Sequence, residues 1–274
     1  MRTAVVEPTL DGSLRSFAVL LLAVCLSSPA CGAGDVGAVT GSLPSHENWG
    51  RVLEQFQHDG GLDYAGLQAQ PQELDAYLSA LSEAHVAGAS REEQLAFWIN
   101  AYNAVVARFV VDLYPGVTSV KEVDGFFDGR AVRVAGEELT LDEIEGRALA
   151  LSEPRVHFAV VCASHSCPDL LHEAYDAVRL EEQLDTQTRA FLANREKGSL
   201  YDEDATALSL SPIFKWYAGD FTGGSTVVAF FLRSKVLEWV IPYLSEGVSD
   251  RIQSADVTVR YFEYDWSLND RPRP

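Results

Sequence analysis

The sequence predicts an α+β fold, one compact domain in which a mixed sheet packs on a central buried helix and several peripheral helices. Three observations carry this. Two capping boxes, at Ser90 and Thr140, open helices of apolar spacing. Short alternating or apolar runs at residues 131–134, 157–162, 207–210 and 256–264 read as strands. Helices and strands follow one another without a regular βαβ rhythm, which separates α+β from the doubly wound class.

Taken in order, residues 1–31 read as an export signal. Arg2 and Arg15 precede the apolar run 17–26, which is too short to span a bilayer and is bounded by small residues. Cys31 after Ala30 is a candidate for lipidation, and simple cleavage after Ala30 or Ala33 is the alternative. Residues 32–44, rich in Gly, Ala, Val and Ser, read as a flexible tether. The globular domain is expected over 45–269, with a tail at 270–274.

Within that domain, Trp49, Leu53 and Phe56 share one helical face, and Asp59-Gly60-Gly61 ends the helix. Leu74, Tyr77, Leu78 and Leu81 mark a second short helix. The Ser90 box opens the strongest helix, which runs to about Tyr114 before Pro115-Gly116 and is apolar nearly all round, so it is central. Asn100 and Asn103 lie one turn apart on it; they either tie down neighbouring backbone or line a pocket. Turns at Asp128-Gly129 and Ala135-Gly136 flank the strand at 131–134. The Thr140 box opens a helix to about Ala150, and further helices are expected at 178–193, 213–217 and 227–244, the last broken near Pro242.

The chain has 274 residues, 47% of them hydrophobic, which suffices for a substantial core. Its formal net charge of −19 repels phosphate backbones and anionic lipid heads, so nucleic-acid binding is excluded, and a membrane is reached only through a lipid at Cys31. A small molecule or a peptide is the expected partner. An exported protein is placed in the periplasm or anchored to the cell envelope.

The chemistry concentrates at His157 and the turn 162–168, which holds Cys162, His165, Cys167 and Pro168. Four readings stand. Cys162 and Cys167 form a structural or redox-labile disulfide, the default for two nearby thiols in an oxidising compartment. Alternatively, Cys167 or Cys162 is a nucleophile served by His157, with Asn100 or Asn103 orienting the imidazole or an oxyanion, which is hydrolase or acyl-transfer chemistry. In a regular strand the odd spacing of His157 and Cys162 puts them on opposite faces, favouring Cys167. A third reading is a zinc site from Cys162, His165 and Cys167, with His157 or His172, although the spacing fits no common zinc signature. The last is a binding or scaffold domain with no reactive site, in which His157 is a satisfied core residue. Lys215 and Asp220, five apart, are secondary candidates whose plain reading is a surface ion pair.

Five blocks, 96–104 (AFWINAYNA), 157–159, 162–168 (CASHSCP), 213–221 (IFKWYAGDF) and 264–269 (YDWSLN), resemble in matching order domain-of-unknown-function family 547. The resemblance runs from about Leu95 to Asn269. It implies an α+β neighbour and a set of motif positions, and no settled reaction.

Overall fold

A buried helix organises the protein. In the computed structural model, which describes residues 42–223 and 229–271 (the side chains of 229–234 aside), α4 (Arg91–Leu113) has sixteen buried residues, from Leu95 to Val111. The Ser90 capping box is complete: the Ser90 hydroxyl accepts from the Glu93 amide, and the Glu93 carboxylate accepts from the Ser90 amide. Against α4 pack α2 (Tyr64–Ala69), α3 (Gln72–Ser82) and α5 (Leu141–Leu149), the last opened by an equally complete Thr140 box, while α1 (Glu47–Phe56) packs on α2 and α3.

The strands do not form one sheet. β1 (Gln57–His58) and β2 (Gly61–Leu62) make one hairpin, and β3 (Val132–Val134) and β4 (Glu137–Leu139) make another. Asp59 and Gly60 both have positive φ, as a two-residue hairpin turn that matches strand twist requires. The mixed sheet is three-stranded: β5 (Ser199–Asp202) runs antiparallel to β6 (Ala207–Leu210), and β7 (Thr258–Tyr261) runs parallel to β6. With α6 (Leu180–Ala193), α7 (Ile213–Trp216), α8 (Ala218–Phe221), α9 (Ala229–Val240) and α10 (Glu246–Ser254), the class is α+β. α2, β5, α8 and α10 carry no sequence signal strong enough to be expected. Three of the four are six residues or shorter, and length is what makes a periodicity legible.

One expected strand is absent. Residues 157–162 are not extended in a sheet: Pro154–Phe158 is a 3-10 turn with Pro154 at its start, followed by an irregular segment. The segment is apolar because it is enclosed, not because it is paired. Val156 packs in the main core, whereas Phe158 meets Phe191, Phe214, Phe221 and Trp239 in a second aromatic core. His157, between them, meets Tyr217 and Phe221 at the edge of the second core. The opposite-face argument for His157 and Cys162 therefore has no strand to act on.

Backbone polar groups in this buried loop still need partners. Asn103 provides them. Its Nδ2 donates to the Ala159 carbonyl (2.9 Å) and its Oδ1 accepts from the Val161 amide (2.8 Å). Asn100 clamps Tyr175 in the same two-bond manner, at 2.8 and 2.9 Å. Both amides serve the backbone; neither lines the large cavity described below.

The C-terminal segment is docked rather than loose. The Tyr114 hydroxyl donates to Asp270, and the Arg271 amide donates to the Leu62 carbonyl, so the tail expected from residue 270 begins no earlier than 272. A methyl group at Gly61 would overlap the Asn269 carbonyl, so this hairpin must be bare to receive the strap. The signal, Cys31 and the tether up to residue 41 lie outside the described residues, and Leu43 already packs against the core.

Asn103→Ala leaves a buried amide and a buried carbonyl unpaired. The expected loss is about 3 kcal/mol of unfolding free energy, read by chemical denaturation; a loss below about 0.5 kcal/mol would show that the clamp is dispensable.

Candidate functional site

Each reactive side chain is delivered by a different device. The turn Ser164–Cys167 is closed by the Cys167 amide donating to the Ser164 carbonyl (3.1 Å). It is then zipped to the C-terminal strap: His165 N–H to the Ser267 carbonyl, Ser166 N–H to the Asp265 carbonyl, and Asp265 N–H to the Ser166 hydroxyl. Ala163, buried, holds φ +62°, a left-handed conformation that costs a non-glycine residue about 1 kcal/mol. It bends the chain so that Cys162 and Cys167 face each other.

The sulfurs lie 2.7 Å apart, and both thiols are free. The expected disulfide is thus not formed, and the pair is held instead by hydrogen bonds. The Cys162 amide donates to the Cys167 sulfur (2.9 Å), and the Ser164 hydroxyl lies 3.1 Å from the Cys162 sulfur, within reach of the Tyr264 hydroxyl. Cys162 is partly exposed and Cys167 is 4% exposed. The Cys167 thiol, with Ser164 and Tyr264 behind it, lowers the Cys162 thiol to about 7. Burial, with Cys162 alongside, pushes Cys167 well up. The pair therefore divides into an ionisable outer thiol and a protonated inner one that stabilises it.

His157 is 3% exposed, and its nitrogens face carboxylates rather than sulfur. Nε2 is 2.8 Å from Asp220 and Nδ1 is 3.6 Å from Glu145. The ring of Tyr217 stacks on it at 4.1 Å. The 3-10 turn that carries His157 is anchored by Glu153, which accepts from Arg155 and Arg91.

Lys215 and Asp220 do not pair. The chain breaks helical geometry at Tyr217 between α7 and α8, which swings Asp220 onto His157 and leaves the Lys215 ammonium exposed, 6.0 Å from the Tyr261 ring. The zinc set is not assembled either: His165 is exposed on the outside of the turn, and among the described residues no three His, Cys, Asp or Glu side chains gather at metal-binding distance.

His157, Cys162 and Cys167 line one cavity of about 670 Å³. Its other walls are of two kinds. Asp124, Asp128, Asp142 and Glu145 are acidic; Trp216, Tyr217, Tyr264 and Trp266 are aromatic. Tyr102 of α4 forms part of the lining. Glu145, Tyr102, Tyr217 and Tyr264 were not singled out as site residues by sequence. Asp142 and Glu145 are three apart on α5 and so share a face, a signal that was available. Tyr102 was hidden in a run of core residues.

Residues 86–192 match the family model described as Protein of unknown function, DUF547. This segment, less than half of the chain, is similar to that family. No curated protein and no solved structure matches the chain. The DUF547 segment contributes Tyr102, Asp142, Glu145, His157 and both cysteines to the cavity. Asp220, the aromatic wall and the strap lie C-terminal to it, although the sequence resemblance had extended over them.

The lowered thiol has a direct readout. Alkylation of Cys162 by iodoacetamide, followed by mass spectrometry, is expected to accelerate as pH rises through about 7 and to level off above about 8, because only the thiolate reacts. Cys167 is expected to lag behind it. Tyr264→Phe and Ser164→Ala remove supporting groups and are expected to move the midpoint upward. A midpoint at or above 8.5 in the unsubstituted protein would contradict the assigned electrostatics.

Proposed function

We propose that the cavity is the active site of an extracytoplasmic thiol-dependent hydrolase or acyl transferase with Cys162 as nucleophile. The observation that carries this is the partly exposed Cys162 thiol, hydrogen-bonded by Cys167 and Ser164, on the wall of a cavity that also holds a carboxylate-bound imidazole. A thiolate of this kind is populated at neutral pH and needs no strong base to form.

The Cys162 sulfur bonds to the carbonyl carbon of an ester, thioester or amide, and the carbonyl π electrons move to oxygen. As the tetrahedral centre collapses, the bond to the leaving group breaks. The leaving atom takes a proton from water, and His157, oriented by Asp220, stands ready as the base of the second half-reaction. The thioester on Cys162 then passes to water or to a second acceptor. That nucleophile surrenders its proton to His157, and the thiolate is regenerated. Cys167 stays protonated throughout and holds the thiolate by a hydrogen bond, so its role is positioning and electrostatic. Asn103 acts one step further back, by fixing the backbone that leads into Cys162. The steps use no metal. Export, with anchoring at Cys31 or simple cleavage, belongs to the same proposal and rests on the basic-then-apolar pattern of residues 1–31.

The test is intact-protein mass spectrometry after exposure to p-nitrophenyl esters of graded acyl length. An acyl adduct on Cys162 is expected within the first turnover, with p-nitrophenolate release falling by about 10³-fold or more in Cys162→Ala. His157→Asn is expected to slow acyl turnover more than adduct formation, because a phenolate leaves unprotonated while water must be activated. If the unsubstituted protein acquires no more label than Cys162→Ala, the enzymatic reading fails and a binding module remains.

A further inference from the structure

Most acids of this chain that lie near a cation are paired with one. Asp75 and Asp112 meet Arg108, Glu137 meets Arg147, Glu173 meets Arg179, and Asp169 meets Lys197. The acidic wall of the cavity has no such close pairing: among the described residues, Asp124, Asp128 and Asp142 have no Lys or Arg within 4.0 Å, and Glu145 faces only His157. Asp142 is held above its ordinary value by partial desolvation and by the neighbouring charges of Glu145 and Asp128. This is negative charge gathered against mutual repulsion, and among the described residues the one cation of the cavity lining, Lys121, makes no close ion pair with it and lies instead against Trp266.

Two further observations point inward to a ligand. The aromatic wall holds Trp216 stacked on Trp266 at 5.8 Å and Tyr264 tilted against Trp266 at 4.6 Å, and Trp216 is 48% exposed. The Lys121 ammonium already rests 4.7 Å from the Trp266 ring centroid, so the wall accepts a cation in this geometry. Independently, Tyr102 is 3% exposed and borders the cavity beside Glu145 and the thiols, yet its hydroxyl has no hydrogen-bond partner among the described residues. The hydroxyl meets the cavity space and is free to donate to an acceptor bound there.

We propose that the cavity takes a small ligand carrying an ammonium group and, a few bonds away, a carbonyl: the ammonium between the acidic and aromatic walls, the carbonyl oxygen at the Tyr102 hydroxyl beside Cys162. This deepens the acyl-transfer reading by naming its substrate class, and rests on that reading only for the fate of the bound carbonyl. Carboxylates lower the energy of the ammonium by charge, and the ring faces do so without hydrogen-bonding to it, so even a fully alkylated cation is accommodated. Anionic acyl donors are repelled.

Isothermal titration with the full chain carrying Cys162→Ser separates binding from turnover. The probes are acetylcholine and its uncharged carbon isostere, 3,3-dimethylbutyl acetate, which differ in charge and hardly in shape. Acetylcholine is expected to bind about tenfold more tightly at 50 mM salt, with the preference shrinking at 500 mM. In Asp128→Asn/Asp142→Asn, whose substituted side chains are exposed and whose fold is checked by circular dichroism, the preference is expected to approach one while the neutral probe is unaffected. Tyr102→Phe is expected to weaken both probes equally and leave their ratio intact. Equal affinities, no measurable binding of either probe, or a ratio unmoved by the double substitution would each overturn the proposal. An unmoved pair in Tyr102→Phe would overturn its carbonyl half. Because the Cys162 thiol is absent from the variant titrated, the cation preference stands or falls apart from whether Cys162 forms an acyl adduct.

Discussion

The arrangement depends on one buried amide. Asn103 sits on the helix that the whole domain wraps, and its two bonds to Ala159 and Val161 give an enclosed, irregular loop the partners that a sheet would have supplied. Without such a clamp, residues 159–161 would pay for unpaired peptide groups in an apolar setting. With it, the chain runs through the core and emerges at Cys162 in a fixed direction. The rigidity of α4 is thereby passed to a thiol several residues away in space and 59 in sequence.

The second constraint is electrostatic. Two thiols, a serine and a tyrosine hydroxyl converge in one hydrogen-bonded set, and such a set cannot ionise at every member. Ionisation falls to Cys162, the more exposed sulfur, and the others become its donors. His157 stands apart from this set, fixed by Asp220 and flanked by Glu145, so the site has two electrostatic halves, one anionic at sulfur and one centred on an imidazole between carboxylates. The strap 264–269 closes the first half and α8 supplies the second. Both lie beyond the DUF547 segment, which explains why a short family match underlies a site completed by distant chain.

The helices were legible because their signals are local. The capping boxes at Ser90 and Thr140 set helix starts to the residue, and Pro115 marks where the longest helix must have ended. The reading failed where a local pattern had a non-local cause. Residues 157–162 are apolar because two cores meet there, and an apolar run of six residues carries no mark that distinguishes enclosure from strand pairing. Asp220 and Lys215 were matched by spacing, but a break at Tyr217 redirected the aspartate to a histidine 63 residues earlier. Tyr102 was masked by its neighbours, since a helix buried on most sides gives no periodicity by which to tell a pocket-facing phenol from packing.

By itself, then, the amino-acid order determined the class of fold, the starts of the two capped helices, the acidic charge and the short list of reactive residue types, because capping, turn geometry and apolar spacing act within a few residues. Tertiary structure alone decided which thiol is ionisable, which carboxylate holds the imidazole, and that acids and aromatic rings share a hollow beside the sulfurs. Those outcomes depend on burial and on distances across the chain, and neither quantity is written in any stretch short enough to read.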